Sequence, residues 1–312
     1  MALSANHTRA RPFLKWAGGK RQLLDQMQAY FPAELQDGQI TRYVEPFLGS
    51  GALFFKIMQS YPICECLLVD INHELILVYK TLQQDVNSLI ESLGKIEIRY
   101  SQLDQDQRRE YYYRIREKYN LQRTSIQMNE FEPDWVLRAA FMIFLNRTGY
   151  NGLFRVNSSG EFNVPFGRYK HPRILDRDNL RHAATLLQNV SLRFGDFEQI
   201  ADFVNEKTLV YFDPPYRPLS PTAHFTSYSR GRFDDQQQLR LARFYRSLDE
   251  QGGKLMLSNS DPHNVDPLDN FFEKAYQGFH FKRLNARRNI NRDAEKRGQI
   301  SELLILNYDT SS

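Results

Sequence analysis

The tightest constraint on the fold is a seven-residue stretch near the middle of the chain, Val210-Tyr211-Phe212-Asp213-Pro214-Pro215-Tyr216. Aromatic and β-branched residues favour an extended strand, and two consecutive prolines cannot continue a central ladder, so the strand should end at Asp213. In open α/β sheets, ligands bind at that carboxyl end. The prolines have no N–H, which leaves Asp213 and the carbonyls beside it as acceptors without a neighbouring backbone donor, and Tyr216 adds a flat ring face. Such a turn suits an amino group on a planar ring. The bland alternative is a proline-terminated strand with Asp213 an exposed turn residue.

Nearer the amino end, Tyr43-Val44-Glu45-Pro46-Phe47-Leu48-Gly49-Ser50-Gly51-Ala52 reads as strand, glycine turn and helix. Gly49 and Gly51 allow close approach of a ligand. Leu67-Leu68-Val69-Asp70 supplies a second strand ending in an acid about twenty residues later, the spacing of a ribose-binding carboxylate. The third glycine of a dinucleotide fingerprint is replaced by Phe54, so a nucleoside cofactor without a pyrophosphate fits better. Asp70 could instead cap the helix that Asn72 and His73 open. Upstream, Phe13-Leu14-Lys15-Trp16-Ala17-Gly18-Gly19-Lys20 leads into a helical run expected over 21–30. The earlier glycine of a P-loop is missing and Arg21 follows Lys20, so nucleotide hydrolysis is not supported.

Over 81–188 the pattern changes to long helices rich in Arg, Gln, Glu and Tyr, with an apolar core helix expected over 134–145. This segment reads as a largely helical domain inserted into an α/β domain made of 1–80 and 189–312. After the core helix, glycines at 149 and 152 demand turns, and a β-hairpin closed near Asn157-Ser158-Ser159-Gly160 is expected, with 162–170 as its returning arm. It mixes rings and cations as nucleic-acid-binding surfaces do. A solvated hairpin is its bland counterpart. Residues 217–233 read as a lid or a connector, and the basic stretch 282–297 as a solvated loop, with phosphate contact as the second choice.

Bulk properties fit a soluble globular protein with a large core, of one elaborated domain or two. Of 312 residues, 41% are hydrophobic, no apolar run approaches a membrane span, and the basic start lacks the apolar centre of a signal peptide, so a cytoplasmic location is expected. Two cysteines are too few for a cysteine-based zinc site, and no metal is expected. There is no Pro-Cys dipeptide, which disfavours thiolate-dependent cytosine methylation. A net charge of +4, with 41 basic residues, 17 Tyr and 22 Phe, suits a polyanion that offers ring faces, though many enzymes share it.

Taken in order, FLKWAGGK (13–20), EPFLGSG (45–51), the acid after LLV (70), LNRTGYNGLFR (145–155) with FNVPFGRYK (162–170), and DPPY (213–216) resemble the Dam-type DNA adenine N6-methyltransferases, a class alpha amino-methyltransferase family that modifies GATC. The resemblance covers nearly the whole chain. It implies a Rossmann-like sheet that binds S-adenosyl-L-methionine, an inserted DNA-recognition domain, and methyl transfer to a flipped-out adenine in double-stranded DNA. Carried over by position, Trp16, Lys20, Phe47, Gly49, Asp70, Asp196, Phe197 and Asp213 would bind the cofactor. Asp213, Pro214 and Tyr216 would act on the target base. Lys15, Leu153, Arg155 and Pro165 would read bases, Tyr150 would insert its ring with Asn151 beside it, and Arg168 and Tyr169 would support the backbone. The segment before DPPY varies among relatives, which weakens the transfer at Asp196 and Phe197. The resemblance further implies a monomer or weak dimer, acting alone or beside a cognate restriction endonuclease. Two other classes share features: an RNA or protein amino-group methyltransferase, and a catalytically silent DNA-binding protein.

Overall fold

The computed structural model describes residues 9–16, 18, 20, 23–124, 126, 131–218, 233–287 and 299–310. In chain order the first elements are α1 (Leu24–Gln28), α2 (Ala33–Gln36), β1 (Arg42–Glu45), α3 (Ala52–Ser60), β2 (Glu65–Asp70) and α4 (His73–Gln84). Four more helices follow: α5 (Val86–Ser101), α6 (Gln105–Gln122), α7 (Asp134–Thr148) and α8 (Arg177–Leu187). The chain continues through β3 (Val190–Phe194), β4 (Thr208–Phe212), α9 (Asp235–Glu250), β5 (Lys254–Ser260), α10 (Phe271–Ala275), β6 (His280–Arg287) and β7 (Gln299–Leu306). Two compact units divide these elements.

The sheet unit comprises the described residues of Lys20–Leu48, Ser60–Ile71 and Gly195–Ser312. Its strands pair in the order β2-β1-β4-β5-β7-β6. The β2–β1, β1–β4 and β4–β5 pairs are parallel, whereas β7 runs antiparallel to both β5 and β6. All five residues of β4 are buried, as expected for a central strand covered on both faces. Val44, Leu67, Val210, Phe212, Leu255, Leu257, Leu303 and Ile305 join Leu241, Tyr245 and Leu248 of α9 in one core. This is the mixed α/β methyltransferase-type sheet that the sequence predicts.

The basic stretch departs from expectation. Residues 282–287 form strand β6 rather than a solvated loop. β6 is an edge strand, where charged side chains are favourable because they discourage pairing with another chain. Arg283 is committed within the fold: its Nε donates to Asp261 Oδ2 at 2.9 Å and its Nη2 to Glu273 Oε1 at 3.0 Å. Arg288, Arg292, Lys296 and Arg297 lie outside the described residues, as do 219–232 of the expected lid. The first helix spans only Leu24–Gln28, and Arg21 and Gln22 are outside the description.

The helical unit comprises the described residues of Met1–Gly19, Gly49–Gln59 and Asn72–Phe194. The core helix expected over 134–145 is α7, which extends through Thr148. Its Arg138, 1% exposed, binds the Glu74 carboxylate of α4 with Nε and Nη2, donates through Nη1 to the Tyr119 carbonyl of α6, and lies 4.2 Å over the Tyr119 ring. One guanidinium thus ties three helices. The expected hairpin is present only as two isolated antiparallel bridges, Val156↔Phe162 and Gly149↔Phe166. Side chains of α6 complete its hydrogen bonding: Asn120 clasps the Phe162 backbone and the Tyr112 hydroxyl donates to the Val164 carbonyl. A longer strand ladder is unnecessary because those peptide groups are already paired.

Burial raises the Glu74 carboxyl pKa, but hydrogen bonds from His73 and Arg138 together with the Arg138 charge outweigh it and bring it from 4.5 to about 2. Since the folded value lies below the unfolded one, the pair's stabilisation is present above pH 4.5 and is lost as pH falls toward 2. Glu74→Ala should cost about 3–5 kcal/mol near neutrality, because it leaves Arg138 buried without its counter-ion. Urea unfolding of wild type and variant should show that gap at pH 7, narrowing between about pH 4 and 2.

Candidate active site

β4 delivers Asp213 where its ladder stops. Lys20, 4% exposed, places Nζ 2.9 Å from Asp213 Oδ1, 3.8 Å from Glu302 Oε2 and 4.3 Å from the centre of the Tyr216 ring. The Tyr216 hydroxyl donates to Glu302 Oε2 at 2.5 Å. Burial pushes the Asp213 carboxyl above its ordinary value, the Lys20 charge and hydrogen bond pull it down, and the Glu302 charge pushes it up again, with a net rise. A carboxylate so placed is a stronger proton acceptor than a solvated one.

The turn beyond it is held rigidly. Gln238 Nε2 donates to the Pro215 carbonyl at 3.0 Å, and the Arg217 N–H donates to Asn259 Oδ1 at 3.2 Å. The Arg217 guanidinium reaches Asp235 Oδ1 at 2.8 Å and Asp269 Oδ2 at 2.6 Å, lying over the Phe271 ring. Among the described residues no donor reaches the Pro214 carbonyl. Two acceptors, the Asp213 carboxylate and this carbonyl, therefore stand side by side on a fixed turn.

Also in the sheet unit, the loops after β1 and β2 meet the 195–197 turn. The Leu48 N–H donates to the Val69 carbonyl and the Gly195 N–H to the Asp70 carbonyl, both at 3.0 Å. Phe47 lies 5.6 Å from Phe197 and 5.6 Å from Phe233, ring centre to ring centre. Asp196 is paired with Arg240, Oδ1 to Nη2 at 2.6 Å, and its Oδ1 accepts the Glu198 N–H. Asp70 closes β2, while the cap of α4 is Asn72, whose side chain accepts the Glu74 and Leu75 N–H groups. Flat rings beside carboxylates fit a purine nucleoside: stacking faces for the base, acceptors for amino and hydroxyl hydrogens.

The helical unit gathers most of the remaining expected residues around Asn146, which is 3% exposed. Its side chain accepts the Lys15 N–H at 2.8 Å and donates to the carbonyls of Lys15 at 2.7 Å and Gly152 at 2.8 Å. Lys15 Nζ lies 4.5 Å over the Tyr169 ring, and the Tyr169 hydroxyl accepts the Asn151 N–H at 3.0 Å. Gly152 has φ +62° and a Cβ there would stand 2.4 Å from the Lys15 side chain, so only glycine fits. Tyr150 is 53% exposed, with its N–H bonded to the Pro165 carbonyl. The Leu153 N–H donates to the Tyr150 carbonyl, and Arg168 adopts φ +53°. Arg155 stands apart, its Nε donating to Asn163 Oδ1 at 2.7 Å. Trp16 stacks on Phe154 at 5.7 Å, and a Cβ on Gly49 would meet its ring at 3.1 Å.

Sequence reasoning missed Asn146, Arg217 and Glu302. Asn146 heads the Asn-Arg-Thr-Gly-Tyr-Asn-Gly stretch, and a polar residue closing an apolar helix before a glycine turn was the available signal. Glu302 and Arg217 carried none, because their partners are distant in sequence. Asn146→Ala should take the partner from the buried Gly152 carbonyl and from the part-buried N–H and carbonyl of Lys15, and lower stability by about 1–3 kcal/mol, the cost of an unpaired buried polar group. Thermal melts together with faster proteolytic cleavage within 149–153 are the measurements.

Comparison with known proteins agrees with this geometry. The chain is similar to the type II methyltransferase M.MjaIII of Methanocaldococcus jannaschii, at 48% identity over 299 residues, 96% of this chain and 99% of the relative. It is 36% identical to the type II methyltransferase M1.LlaDCHI of Lactococcus lactis subsp. cremoris over 98% of both chains. With the DNA adenine methylase of Escherichia coli it shares 33% identity over 95% of each. A family model matches residues 16–290, spanning both the Lys20–Asp213–Tyr216 cluster and the 145–170 segment, and by that match the chain belongs to the D12 class of N6 adenine-specific DNA methyltransferases.

Proposed function

We propose that the protein transfers a methyl group from S-adenosyl-L-methionine to N6 of an adenine flipped out of duplex DNA, within GATC. The observation that carries this reading is the pair of adjacent acceptors at the end of β4, on a turn whose two prolines supply no N–H. Adenine's exocyclic nitrogen is a poor nucleophile because its lone pair is delocalised into the ring. Asp213 and the Pro214 carbonyl each accept one amino hydrogen, which draws the nitrogen toward tetrahedral geometry and frees the lone pair. Placement of these acceptors before reaction supplies most of the acceleration. When bound, the cofactor supplies a methyl group on a positive sulfonium that leaves as a neutral thioether. Phe47, Asp196 and Phe197 would line its adenine and methionine ends, Asp70 would bind its ribose hydroxyls, and Trp16, Lys20 and Gly49 would complete its binding.

Residues 1–80 and 189–312 serve catalysis in this reading, and 81–188 serve target recognition. Extruding the base costs about a few kcal/mol, which the exposed ring of Tyr150 offsets by filling the gap, with Asn151 beside it. Tyr216 stacks on the extruded base. Lys15 reads the first pair, Leu153 and Pro165 pack on the thymine methyl, and Arg168 and Tyr169 support the backbone. Asn163 engages Nε and Nη2 of Arg155, which leaves the outer Nη1/Nη2 edge of the fork for the O6 and N7 of the last guanine. The enzyme acts in the cytoplasm as a monomer or weak dimer, alone or beside a cognate restriction endonuclease.

Transfer of tritium from labelled cofactor to a GATC duplex, against RNA and protein acceptors, is the direct test. Asp213→Ala should lower transfer by about 10²–10³-fold or more while duplex binding persists, and Asp213→Asn should fail as well because its amide presents a donor. Wild-type turnover by the alanine variant ends the mechanism.

Arg155→Ala should relax discrimination at the last position of GATC by about 1–3 kcal/mol and at the first by much less. Loss of a phosphate contact would instead weaken all sequences alike and flatten the salt dependence. Methylation rates on GATC and its single-position variants, at one salt concentration, separate the two. A preferred site other than GATC removes the assigned specificity.

A further inference from the structure

We infer that Glu302 of β7 is a positioning residue for catalysis: one carboxylate oxygen fixes the Tyr216 hydroxyl and balances the Lys20 ammonium, which leaves the cluster of Lys20, Asp213 and Glu302 net negative. The inference rests on the reading of Asp213 as acceptor for the adenine amino group.

The register of the sheet explains why Glu302 is there. β7 runs antiparallel to β5 with Glu302 opposite Ser260, the last residue of β5, so the start of β7 reaches the carboxyl edge where β4 also ends. Lys20, Asp213 and Glu302 then carry one positive and two negative charges. The ammonium lies 2.9 Å from Asp213 and 3.8 Å from Glu302, and both carboxylates are about four-fifths buried. Without Glu302 the lysine and aspartate would form a neutral pair, with the ammonium on the oxygen an amine must reach. Glu302 gives that ammonium a second seat less than an ångström further away.

The charge matters most during transfer. As the bond from N6 to the methyl carbon forms and the carbon–sulfur bond breaks, N6 becomes cationic until one of its protons passes to the Asp213 carboxylate. A net negative cluster favours the cationic stage over the neutral amine, so its effect is differential and falls on kcat rather than on ground-state binding. The same carboxylate orients the Tyr216 ring through its hydroxyl. Lys20 covers one face of that ring, and in the proposed reading the base stacks on the opposite one. Glu45, also buried, is engaged by the Tyr43 hydroxyl at 2.6 Å and is no substitute.

The test compares Glu302→Gln, Glu302→Ala and Tyr216→Phe in the full chain. Single-turnover and steady-state methylation of a GATC duplex report kcat and KM. Thermal melts report folding, and fluorescence of a duplex carrying 2-aminopurine at the target position reports binding without cofactor. Glu302→Gln retains an oxygen for Tyr216 but removes the charge. It should lower kcat by about tenfold or more while KM, Tm and 2-aminopurine affinity stay near wild type. Glu302→Ala should lose at least as much, and Tyr216→Phe should cost less on that background than on wild type. Wild-type kcat for Glu302→Gln overturns the charge role, as does a loss carried by KM alone. Additive effects of Glu302→Ala and Tyr216→Phe overturn the shared bond. If Glu302→Ala does not fold, Glu302→Gln decides alone. A wild-type protein that methylates no duplex DNA overturns the underlying reading, and the inference with it.

Discussion

The structure turns on a buried ion pair. An ammonium and a carboxylate removed from water lose several kcal/mol of hydration each, and their mutual attraction compensates only when the geometry is good and further partners are present. Lys20 and Asp213 meet that condition at 2.9 Å, with the Tyr216 ring and Glu302 as the further partners. A lone Asp213 in that position would protonate or draw in water, and either would cost the turn its bare carboxylate acceptor. The fully buried β4 and its two terminal prolines keep the carboxylate at the sheet edge. Arg217, clamped between Asp235 and Asp269, anchors the end of the Asp-Pro-Pro-Tyr turn.

The helical unit solves a related problem with different chemistry. A glycine-rich turn carries little intrinsic order, so the fold supplies it through buried polar side chains. Asn146 binds Lys15 and Gly152, and Asn120 and Tyr112 bind the returning arm. Arg138 fixes the helices from which those residues project. Asn146, Tyr112 and Arg138 are almost wholly withdrawn from water and Asn120 is half-buried, and in such places an unmade hydrogen bond costs more than a made one gains. Rigidity of the exposed Tyr150 and Lys15 is therefore inherited from the interior.

Much of this was legible in the sequence because its physics is local. Two prolines end a strand wherever they occur, glycines mark turns, and an acid spaced after a glycine loop falls at the end of the next strand. Asp213, Asp70, Gly49 and the α7 helix followed from such rules. The charged run 282–287 was misread because a loop and an edge strand share the same composition, and only its pairing with β7 distinguishes them. Glu302, Arg217 and Asn146 stayed hidden for a different reason. Their significance lies in partners brought close by topology, and a lone glutamate in an apolar strand carries no sign of the lysine it will meet.

The position of β7 has a consequence for folding. Among the described strands it comes last in the chain, yet it inserts between β5 and β6 rather than adding to an edge. Until residues 299–306 are in place, β5 and β6 lack the strand that separates and joins them, and the Tyr216 hydroxyl lacks Glu302. Closure of this part of the sheet and completion of the Lys20–Asp213–Glu302 cluster are therefore one event.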